Sequence, residues 1–412
     1  MFHIRTLLFI AAASVSAVAA PLHALEEART IEPGSENPFS HIQAFLDTAV
    51  EEDRIPSGIA MIAQGGDIIW RGASGDMGPG IAMRSDSIMP LASLGKIYTA
   101  TAAMILYERD QIGLDDPVSQ YIPAFADVQI AVPGDDGTER LQAPDRPITI
   151  YHLLTHTSGL HVAGDAYWPV WNEHAGVTTT TEFARALAQV PMNHQPGARF
   201  EYGYTGGAYE VLAAVIEIAS GQTLEAFMVE NMFEPLNLEE SHFFIPEEQI
   251  DRYPAFFRRV DETLQLDRAY GESEPRTSYF FGGGGVAASP QDIARFTRMF
   301  TEASFDDENR IISANSARLM MQDHLGELAT FGNGLSWGFG GAVRYAEGRE
   351  RSGLPDQYGW VGGGYAKLII APAAGMAAYI AFPINPPGDN DLLDEFDQVL
   401  ARSLAALRTS SE

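Results

Sequence analysis

The 412-residue chain contains no cysteine and only two lysines. Without cysteine it forms no disulfide, has no thiol nucleophile and cannot bind zinc through sulfur. Its 26 lysines and arginines stand against 55 acidic residues, which gives a formal net charge of −29. Such a charge repels phosphate backbones and anionic lipid surfaces, so the sequence disfavours nucleic-acid binding. Solubility, or adaptation to a saline habitat, is the simplest account of the acidity.

The chain also lacks an apolar run of the roughly 20 residues that a membrane-spanning helix needs. Residues 1–24 instead have the pattern of a signal peptide. Arg5 precedes a largely apolar run from Thr6 to Val18, and cleavage after Ala19 or Ala24 fits the small residues there. The sequence therefore predicts export to the periplasm or the medium.

Strand-like and helix-like patterns occupy different parts of the remaining chain. Residues 25–39 form a polar lead-in segment. Strands are predicted in residues 40–92 and 281–412, whereas residues 93–280 are mainly helical. This order predicts an α/β domain built from both ends of the chain, with an inserted helical domain.

Local patterns predict the individual elements. A turn at Gly65–Asp67 joins two strand-like runs into a hairpin, and Ser289-Pro290 begins a helix. Apolar spacing predicts helices at 41–52, 93–108, 150–154, 181–189, 209–219 and about 392–407, and strands at 335–343, 366–370 and 377–382.

The scarcity of lysine makes its two occurrences informative. The chain uses arginine 24 times, and arginine cannot lose its proton in a protein, whereas lysine can. Lys96 follows Ser93 by three residues at the start of a predicted helix, so the amine can reach the hydroxyl. Ser93 is therefore a candidate nucleophile and Lys96 a candidate for proton transfer. Lys367 lies on a predicted strand and is interpreted as a surface lysine, with substrate binding as the alternative.

Motifs around this pair resemble those of serine β-lactamases and penicillin-binding proteins. Residues 91–96, LASLGK, resemble the first motif, Ser-x-x-Lys. Residues 148–160, ITIYHLLTHTSGL, look like the segment that follows it in the class C and esterase branch. Residues 196–204, PGARFEYGY, are similar to the second motif, Tyr-x-Asn. The resemblance covers about residues 40–405 and includes two further matches, PLNL at 235–238 and GGGV at 283–286.

The resemblance implies a β-lactamase/transpeptidase-like fold, in which an antiparallel sheet is flanked by terminal helices and the active site lies against the inserted helical domain. It implies acyl transfer: Ser93 attacks a carbonyl group, and Lys96 and Tyr202 handle the proton. Which of these two is the base at each step stays open. By family analogy the Gly363 amide shares the oxyanion hole with the Ser93 amide. No cofactor is implied.

The chain departs from the family pattern at two positions. Tyr204 replaces the asparagine of the second motif, and Trp360-Val361-Gly362 aligns with the third motif, which usually carries a basic or polar residue. A tryptophan at that place is common in the family VIII carboxylesterases. Trp360, Gly362, Gly363 and Tyr204 are therefore the candidate substrate-binding residues.

These motifs favour an exported serine hydrolase that cleaves carboxylic esters. The alternatives are a β-lactamase or a D-Ala-D-Ala carboxypeptidase/amidase, and a non-catalytic exported binding protein on the same fold. The expected partner is a small-molecule ester or amide substrate. Loops 161–180 and 251–280 carry aromatic residues and are predicted to set specificity, whereas the sequence does not reveal the oligomeric state.

Two other motifs are interpreted as structural. Gly334, Ser336 and Gly338 satisfy the Gly-x-Ser-x-Gly nucleophile elbow, but all ten histidines precede Ser336, whereas that fold requires one after the serine. His152 and His156 have a zinc-like spacing of four residues, but the glutamate of a zinc-protease motif is absent. Both histidines are predicted to be hydrogen-bonded core or loop residues, with no metal bound.

Overall fold

The computed structural model describes residues 37–133, 138–160, 167–174, 178–202, 207–261, 263–273, 276–304, 310–329, 334–345, 355–363, 365–385 and 390–409. The predicted signal peptide, most of the lead-in segment and Tyr204 lie outside these ranges. The helices are α1 (Ser40–Glu51), α2 (Gly95–Glu108), α3 (Ile150–Leu154), α4 (Tyr167–His174), α5 (Thr180–Leu187), α6 (Gly207–Ser220), α7 (Leu224–Met228), α8 (Pro290–Thr297), α9 (Ala314–Met320) and α10 (Asn390–Thr409). The strands are β1 (Ser57–Gln64), β2 (Asp67–Gly78), β3 (Ile81–Ala82), β4 (Met89–Pro90), β5 (Ile130–Pro133), β6 (Glu139–Gln142), β7 (Ser241–His242), β8 (Phe256–Val260), β9 (Thr263–Arg268), β10 (Ala287–Ala288), β11 (Leu335–Trp337), β12 (Ala342–Arg344), β13 (Gln357–Gly362), β14 (Ala366–Ala371), β15 (Met376–Ala381) and β16 (Ile384–Asn385).

The main sheet has eight antiparallel strands in the order β11-β12-β13-β14-β15-β1-β2-β3. Strands from the two ends of the chain meet where Ile59 of β1 pairs with Ala381 of β15. Both β14 and β15 are buried along their whole length, as expected for strands covered on both faces. Their residues are apolar apart from Lys367 in β14. The terminal helices α1 and α10 pack against each other, and α1 packs on β1 and β2. The predicted antiparallel sheet with flanking terminal helices is confirmed.

Glycine positions explain where the strands turn. The predicted hairpin is confirmed: β1 and β2 are joined at Gly65 and Gly66, whose φ angles of 61° and 92° are left-handed. The predicted single strand at 335–343 is wrong, because the chain reverses between β11 and β12. Gly340 has a φ of 82° in this turn, a conformation that glycine adopts without the steric cost of a side chain.

Two buried helices form the centre of the molecule. In α2 every residue from Gly95 to Leu106 is buried, and in α6 every residue from Gly207 to Ile216 is buried. Helices that are buried all round belong to the core, and α6 packs against α2, α3 and α5. No single helix among the described residues has the length and apolarity for a membrane crossing; α6 reaches that measure only together with Leu224–Phe233, across a bend of 73°.

The segment predicted as mainly helical also contains short strands. The pair β5-β6 forms a hairpin, and β8-β9 forms another that joins β16. A third small sheet has the order β4-β10-β7. In it, Pro90 pairs with Ala287, which brings the chain that leads into Ser93 next to the chain that leaves the glycine-rich stretch Gly282–Gly285. This pairing positions the candidate active site.

Candidate active site

Ser93 and Lys96 meet at the start of α2. Ser93 lies in a 3-10 turn, Ala92–Leu94, that runs directly into the helix. The Lys96 ammonium nitrogen donates a hydrogen bond to Ser93 Oγ over 2.9 Å and another to the Gly283 carbonyl oxygen over 2.8 Å. Lys96 has no exposed surface. The structure therefore brings the serine and the lysine into direct contact, as their spacing predicts.

The backbone around Ser93 is crowded. Ala92 has a φ of 45°, a left-handed conformation that a residue with a side chain seldom adopts. A β-carbon on Gly284 would lie 2.6 Å from the Ala92 carbonyl carbon, and one on Gly362 would lie 2.4 Å from the Leu91 carbonyl oxygen. Glycine is thus required on both sides of the turn that presents Ser93. Backbone strain of this kind is concentrated at functional sites.

Tyr202 lies beside this pair and contacts the third-motif tryptophan. Its ring centroid is 5.4 Å from Lys96 Nζ. Trp360 Nε1 donates a hydrogen bond of 2.7 Å to Tyr202 Oη. The structure therefore brings Tyr202, Trp360 and Lys96 together. Gly363 follows the end of β13 with a φ of 58°, and Tyr204 is outside the described residues.

A buried histidine lies against Tyr202. The ring centroid of His156 is 4.9 Å from that of Tyr202, 5.0 Å from Tyr209 and 5.1 Å from Trp337. Neither ring nitrogen has a hydrogen-bond partner. Burial, and then the charge of Lys96, lowers the pKa of His156 well below its usual range, so the imidazole is neutral. A neutral ring adds no second cation beside Lys96.

The predictions for the remaining motif residues have mixed outcomes. His152 is hydrogen-bonded, as predicted: its ring accepts the Thr149 amide proton over 3.1 Å, and burial lowers its pKa to about 4. His156 is buried, as predicted for a core residue, but the prediction that it is hydrogen-bonded is wrong, because its ring packs among aromatic rings. Ser336 is a buried strand residue whose hydroxyl bonds to Asp323, as predicted. Within the described ranges no group of three or more histidine, aspartate and glutamate side chains is placed to hold a metal ion.

The sequence analysis did not single out Glu210, a second buried group near Lys96. Its carboxyl Oε1 accepts the Gly283 amide proton over 2.9 Å, and its Oε2 accepts the Tyr279 hydroxyl proton over 2.8 Å. Burial raises the pKa of Glu210 to about 8. The available clue was the presence of two acidic residues, Glu210 and Glu217, inside the otherwise apolar stretch 209–219.

Lys367 is neither a surface lysine nor part of this site. Its side chain is largely buried, and Nζ donates to Asp397 Oδ2 over 2.6 Å and to the Leu393 carbonyl oxygen over 3.3 Å. Both acceptors belong to α10. Both interpretations of Lys367 from the sequence are therefore wrong. The sequence did not predict the ion pair because Asp397 lies 30 residues further along the chain.

A cavity of about 160 Å³ borders chain segments that lead to and from the candidate site, but none of Ser93, Lys96, Tyr202 and Trp360 lines it. One part of its lining comes from the chain before the nucleophile, from the end of the glycine-rich stretch and from the chain just after Gly363. The other part is mixed, with three aromatic, one aliphatic and three polar residues, and includes residues from the 251–280 loop that was predicted to set specificity. The lining residues are Pro90, Phe243, Phe244, Ile245, Tyr253, Arg268, Ser273, Gly285, Ala287, Tyr365 and Asn385.

The sequence model of the family described as Beta-lactamase matches residues 42–402. The chain belongs to the β-lactamase family. Penicillin-binding protein 4 of Amycolatopsis lactamdurans is one of its relatives. The two are 30% identical over 351 residues, which span 83% of this chain and 84% of the relative. Esterase EstB of Burkholderia gladioli is 30% identical over 353 residues, which span 78% of this chain and 83% of the relative.

Solved structures agree with this β-lactamase-family assignment at the level of the fold. The structure of "EstCE1, a hydrolase with promiscuous acyltransferase activity" has a TM-score of 0.72 at 24% identity and covers 90% of this chain and 98% of its own. A mutant of simvastatin synthase from Aspergillus terreus has a TM-score of 0.73 at 22% identity, covering 91% of this chain and 96% of its own. The predicted fold is confirmed, and with an esterase and penicillin-binding proteins among its relatives the protein is a serine hydrolase of this family.

Proposed function

We propose that the protein is an exported carboxylesterase that acts through an acyl-enzyme on Ser93. The observation that carries the proposal is the hydrogen bond from Trp360 Nε1 to Tyr202 Oη. In β-lactamases and peptidases of the family, a basic or polar group at the third motif helps to hold the substrate carboxylate. Here that position carries an uncharged indole whose only N–H is directed at Tyr202. An ester without a carboxylate needs no such cation.

Acylation begins when Ser93 Oγ attacks the ester carbonyl carbon. The hydroxyl proton passes to the Tyr202/Lys96 pair, in which Tyr202 Oη accepts a hydrogen bond from the N–H of Trp360. The carbon–oxygen bond to the alcohol then breaks, and the pair returns the proton to the departing alkoxide. The amides of Ser93 and Gly363 are the proposed donors to the carbonyl oxygen, and each donor of this type lowers the barrier by about 3–4 kcal/mol.

Deacylation repeats these steps with water. A water molecule gives a proton to the same pair while its oxygen bonds to the acyl carbon. The bond to Ser93 Oγ then breaks, the serine recovers its proton, and the carboxylic acid leaves. Serine, lysine, tyrosine and water supply every proton and electron pair in this cycle.

A compact substrate is proposed from the cavity next to the glycine-rich stretch. At about 160 Å³ it has room for a short acyl or alcohol group and is too small for most of a drug-sized molecule. Its lining combines aromatic and aliphatic residues with Arg268, Ser273 and Asn385 and includes none of the candidate catalytic residues, so the acyl-chain series below tests whether it receives the substrate. We propose that short-chain esters react faster than long-chain ones.

The decisive experiment incubates purified wild-type protein and Ser93→Ala with p-nitrophenyl acetate, butyrate and octanoate, with nitrocefin in parallel. We expect rapid cleavage of acetate and butyrate, slower cleavage of octanoate, little nitrocefin turnover, and a loss of at least about 10³-fold in Ser93→Ala. Absence of turnover on every ester by the wild type would refute the esterase proposal. Fractionation of the expressing cells tests export, for which activity outside the cytoplasm is expected.

A β-lactamase or peptidase is the second candidate, and the observation that favours it is the 30% identity to Penicillin-binding protein 4. Efficient nitrocefin hydrolysis that depends on Ser93, or lasting covalent labelling by a fluorescent penicillin, would put this candidate first. Such a result would mean that the Trp360 indole does not exclude β-lactams.

A further inference from the structure

A buried carboxyl group is linked to the candidate catalytic lysine through one glycine residue. Glu210 Oε1, on α6, accepts the Gly283 amide proton over 2.9 Å. The carbonyl oxygen of the same glycine accepts a hydrogen bond of 2.8 Å from Lys96 Nζ. Glu210 has no exposed surface, and the cycle proposed above makes no use of it.

The loop between these two groups is held by its own turn and by the neighbouring helices. The Gly284 and Gly285 amides donate to the Phe281 carbonyl oxygen over 3.2 and 2.7 Å, but the four consecutive glycines, Gly282–Gly285, have no side chains that could hold the backbone further. The helices supply two more hydrogen bonds: Thr99 Oγ1 of α2 donates to the Gly282 carbonyl oxygen over 2.6 Å, and Glu210 of α6 accepts from the Gly283 amide. The position of the Gly283 carbonyl group, which accepts the hydrogen bond from Lys96, thus depends in part on Glu210.

The charge of this carboxyl group changes within the range of ordinary assays. Burial raises the pKa of Glu210 to about 8, against the opposing effects of the Gly283 amide, the Tyr279 hydroxyl and Lys96. The groups that face it are therefore Lys96 from α2, the Gly282 and Gly283 amides, and Tyr279. Below about pH 7 the carboxyl group is protonated and neutral, and above about pH 8 it is a buried anion near Lys96.

We propose that Glu210 is a positioning residue for Lys96: its carboxyl group fixes the Gly283 carbonyl that holds the amine, and its charge alters how readily Lys96 exchanges protons with Ser93 and Tyr202. This inference rests on the proposed function, because it takes Lys96 as a partner of the nucleophile.

The test measures how fast an alkyl fluorophosphonate labels Ser93 between about pH 6 and pH 10. In that reaction the Ser93 Oγ–phosphorus bond forms, the phosphorus–fluorine bond breaks, fluoride leaves, and the Tyr202/Lys96 pair accepts the hydroxyl proton. The labelling rate reports the activation of the serine without requiring any particular ester as substrate.

In Glu210→Gln the amide oxygen can still accept the Gly283 proton, but the group cannot ionise. Removing a nearby carboxylate makes it easier for an ammonium group to lose its proton. We therefore expect the midpoint of the rising limb of the labelling profile to move to lower pH by about 0.5–1 unit. The difference between the two proteins should lie mainly above about pH 7, where the wild-type carboxyl group becomes charged.

Glu217→Gln is the matched control. Glu217 lies two turns further along the same helix; its Oε1 accepts the Leu224 amide proton over 3.1 Å and its Oε2 accepts the Thr181 hydroxyl proton over 3.2 Å. Burial raises its pKa too, but its hydrogen bonds lead to α7 and α5, away from Lys96. Its labelling profile should superimpose on that of the wild type.

Glu210→Ala tests the positioning part of the inference, because it leaves the Gly283 amide without its acceptor. We expect the kcat for p-nitrophenyl butyrate to fall about 10- to 100-fold with little change in KM. An unshifted profile in Glu210→Gln, or an equal shift in Glu217→Gln, would contradict the inference. Normal labelling without ester turnover would refute only the esterase proposal, whereas an unlabelled wild-type Ser93 would refute both.

Discussion

Lys96 and Lys367 are the only lysines in the chain, and both are buried, but their partners differ. Lys367 Nζ forms an ion pair with Asp397 and joins β14 of the sheet to the terminal helix α10. Lys96 Nζ bonds instead to the Ser93 hydroxyl and to the Gly283 carbonyl group, both of them neutral. Within the described ranges no carboxylate lies at ion-pair distance from Lys96.

This difference separates a lysine that holds the structure together from one that is suited to proton transfer. A carboxylate in direct contact stabilises an ammonium group. Lys96 has no such contact, because Glu210 is linked to it only through Gly283. The surroundings of Lys96 also avoid other cations: His156 is neutral, and Trp360 offers an uncharged N–H to Tyr202. The same residue type thus serves two purposes because its partners differ, and substitutions at each lysine should have different consequences.

The largest effect is expected for Lys96→Arg. Arginine keeps a positive charge but cannot release its proton, so this variant should lose about 10³- to 10⁴-fold in kcat/KM for p-nitrophenyl butyrate. Lys367→Arg is the matched control and should hydrolyse the ester at the wild-type rate. Substantial activity in Lys96→Arg would mean that Lys96 acts only through its charge, and the contrast between the two lysines would be lost.

A smaller effect is expected for Lys367→Met, and it should appear in stability. The substitution leaves Asp397 largely buried without its partner, which should lower the free energy of unfolding by about 1–3 kcal/mol. Urea denaturation measures this loss, and Lys367→Met combined with Asp397→Leu should recover most of it. Activity per folded molecule should stay at the wild-type level. A fall in kcat without a fall in stability would contradict the structural role.

Local sequence features predicted the elements that depend on neighbouring residues. The spacing from Ser93 to Lys96 spans one helical turn, so the contact of 2.9 Å follows from helix geometry. The glycines at 65 and 66 specify their hairpin turn for a similarly local reason. The motif resemblance supplied the fold and Tyr202.

Two contacts that the sequence did not predict join residues that are distant in the chain. Glu210 meets a glycine 73 residues away, and the partner of Trp360 is 158 residues away. Neither contact follows from helix or strand periodicity. The two acidic side chains in the apolar helix α6 could have marked Glu210 and Glu217 as groups with specific partners, since buried carboxyl groups are rare unless paired. The sequence does not distinguish which of the two lies near Lys96.

The smallest effect is expected for Trp360→Phe, which removes the N–H donor to Tyr202 while keeping an aromatic ring. One hydrogen bond to an oxygen that becomes charged contributes about 1–1.5 kcal/mol, so kcat should fall about 5- to 10-fold with KM nearly unchanged. Trp337→Phe is the matched control, because Trp337 lies in the same aromatic group but donates its N–H to the Leu154 carbonyl oxygen over 3.2 Å. That variant should lose stability and retain its kcat. Equal losses of kcat in both variants would show that the two tryptophan rings contribute only by packing. The hydrogen bond from Trp360 to Tyr202 would then have no specific role in the proton transfer by Tyr202 and Lys96.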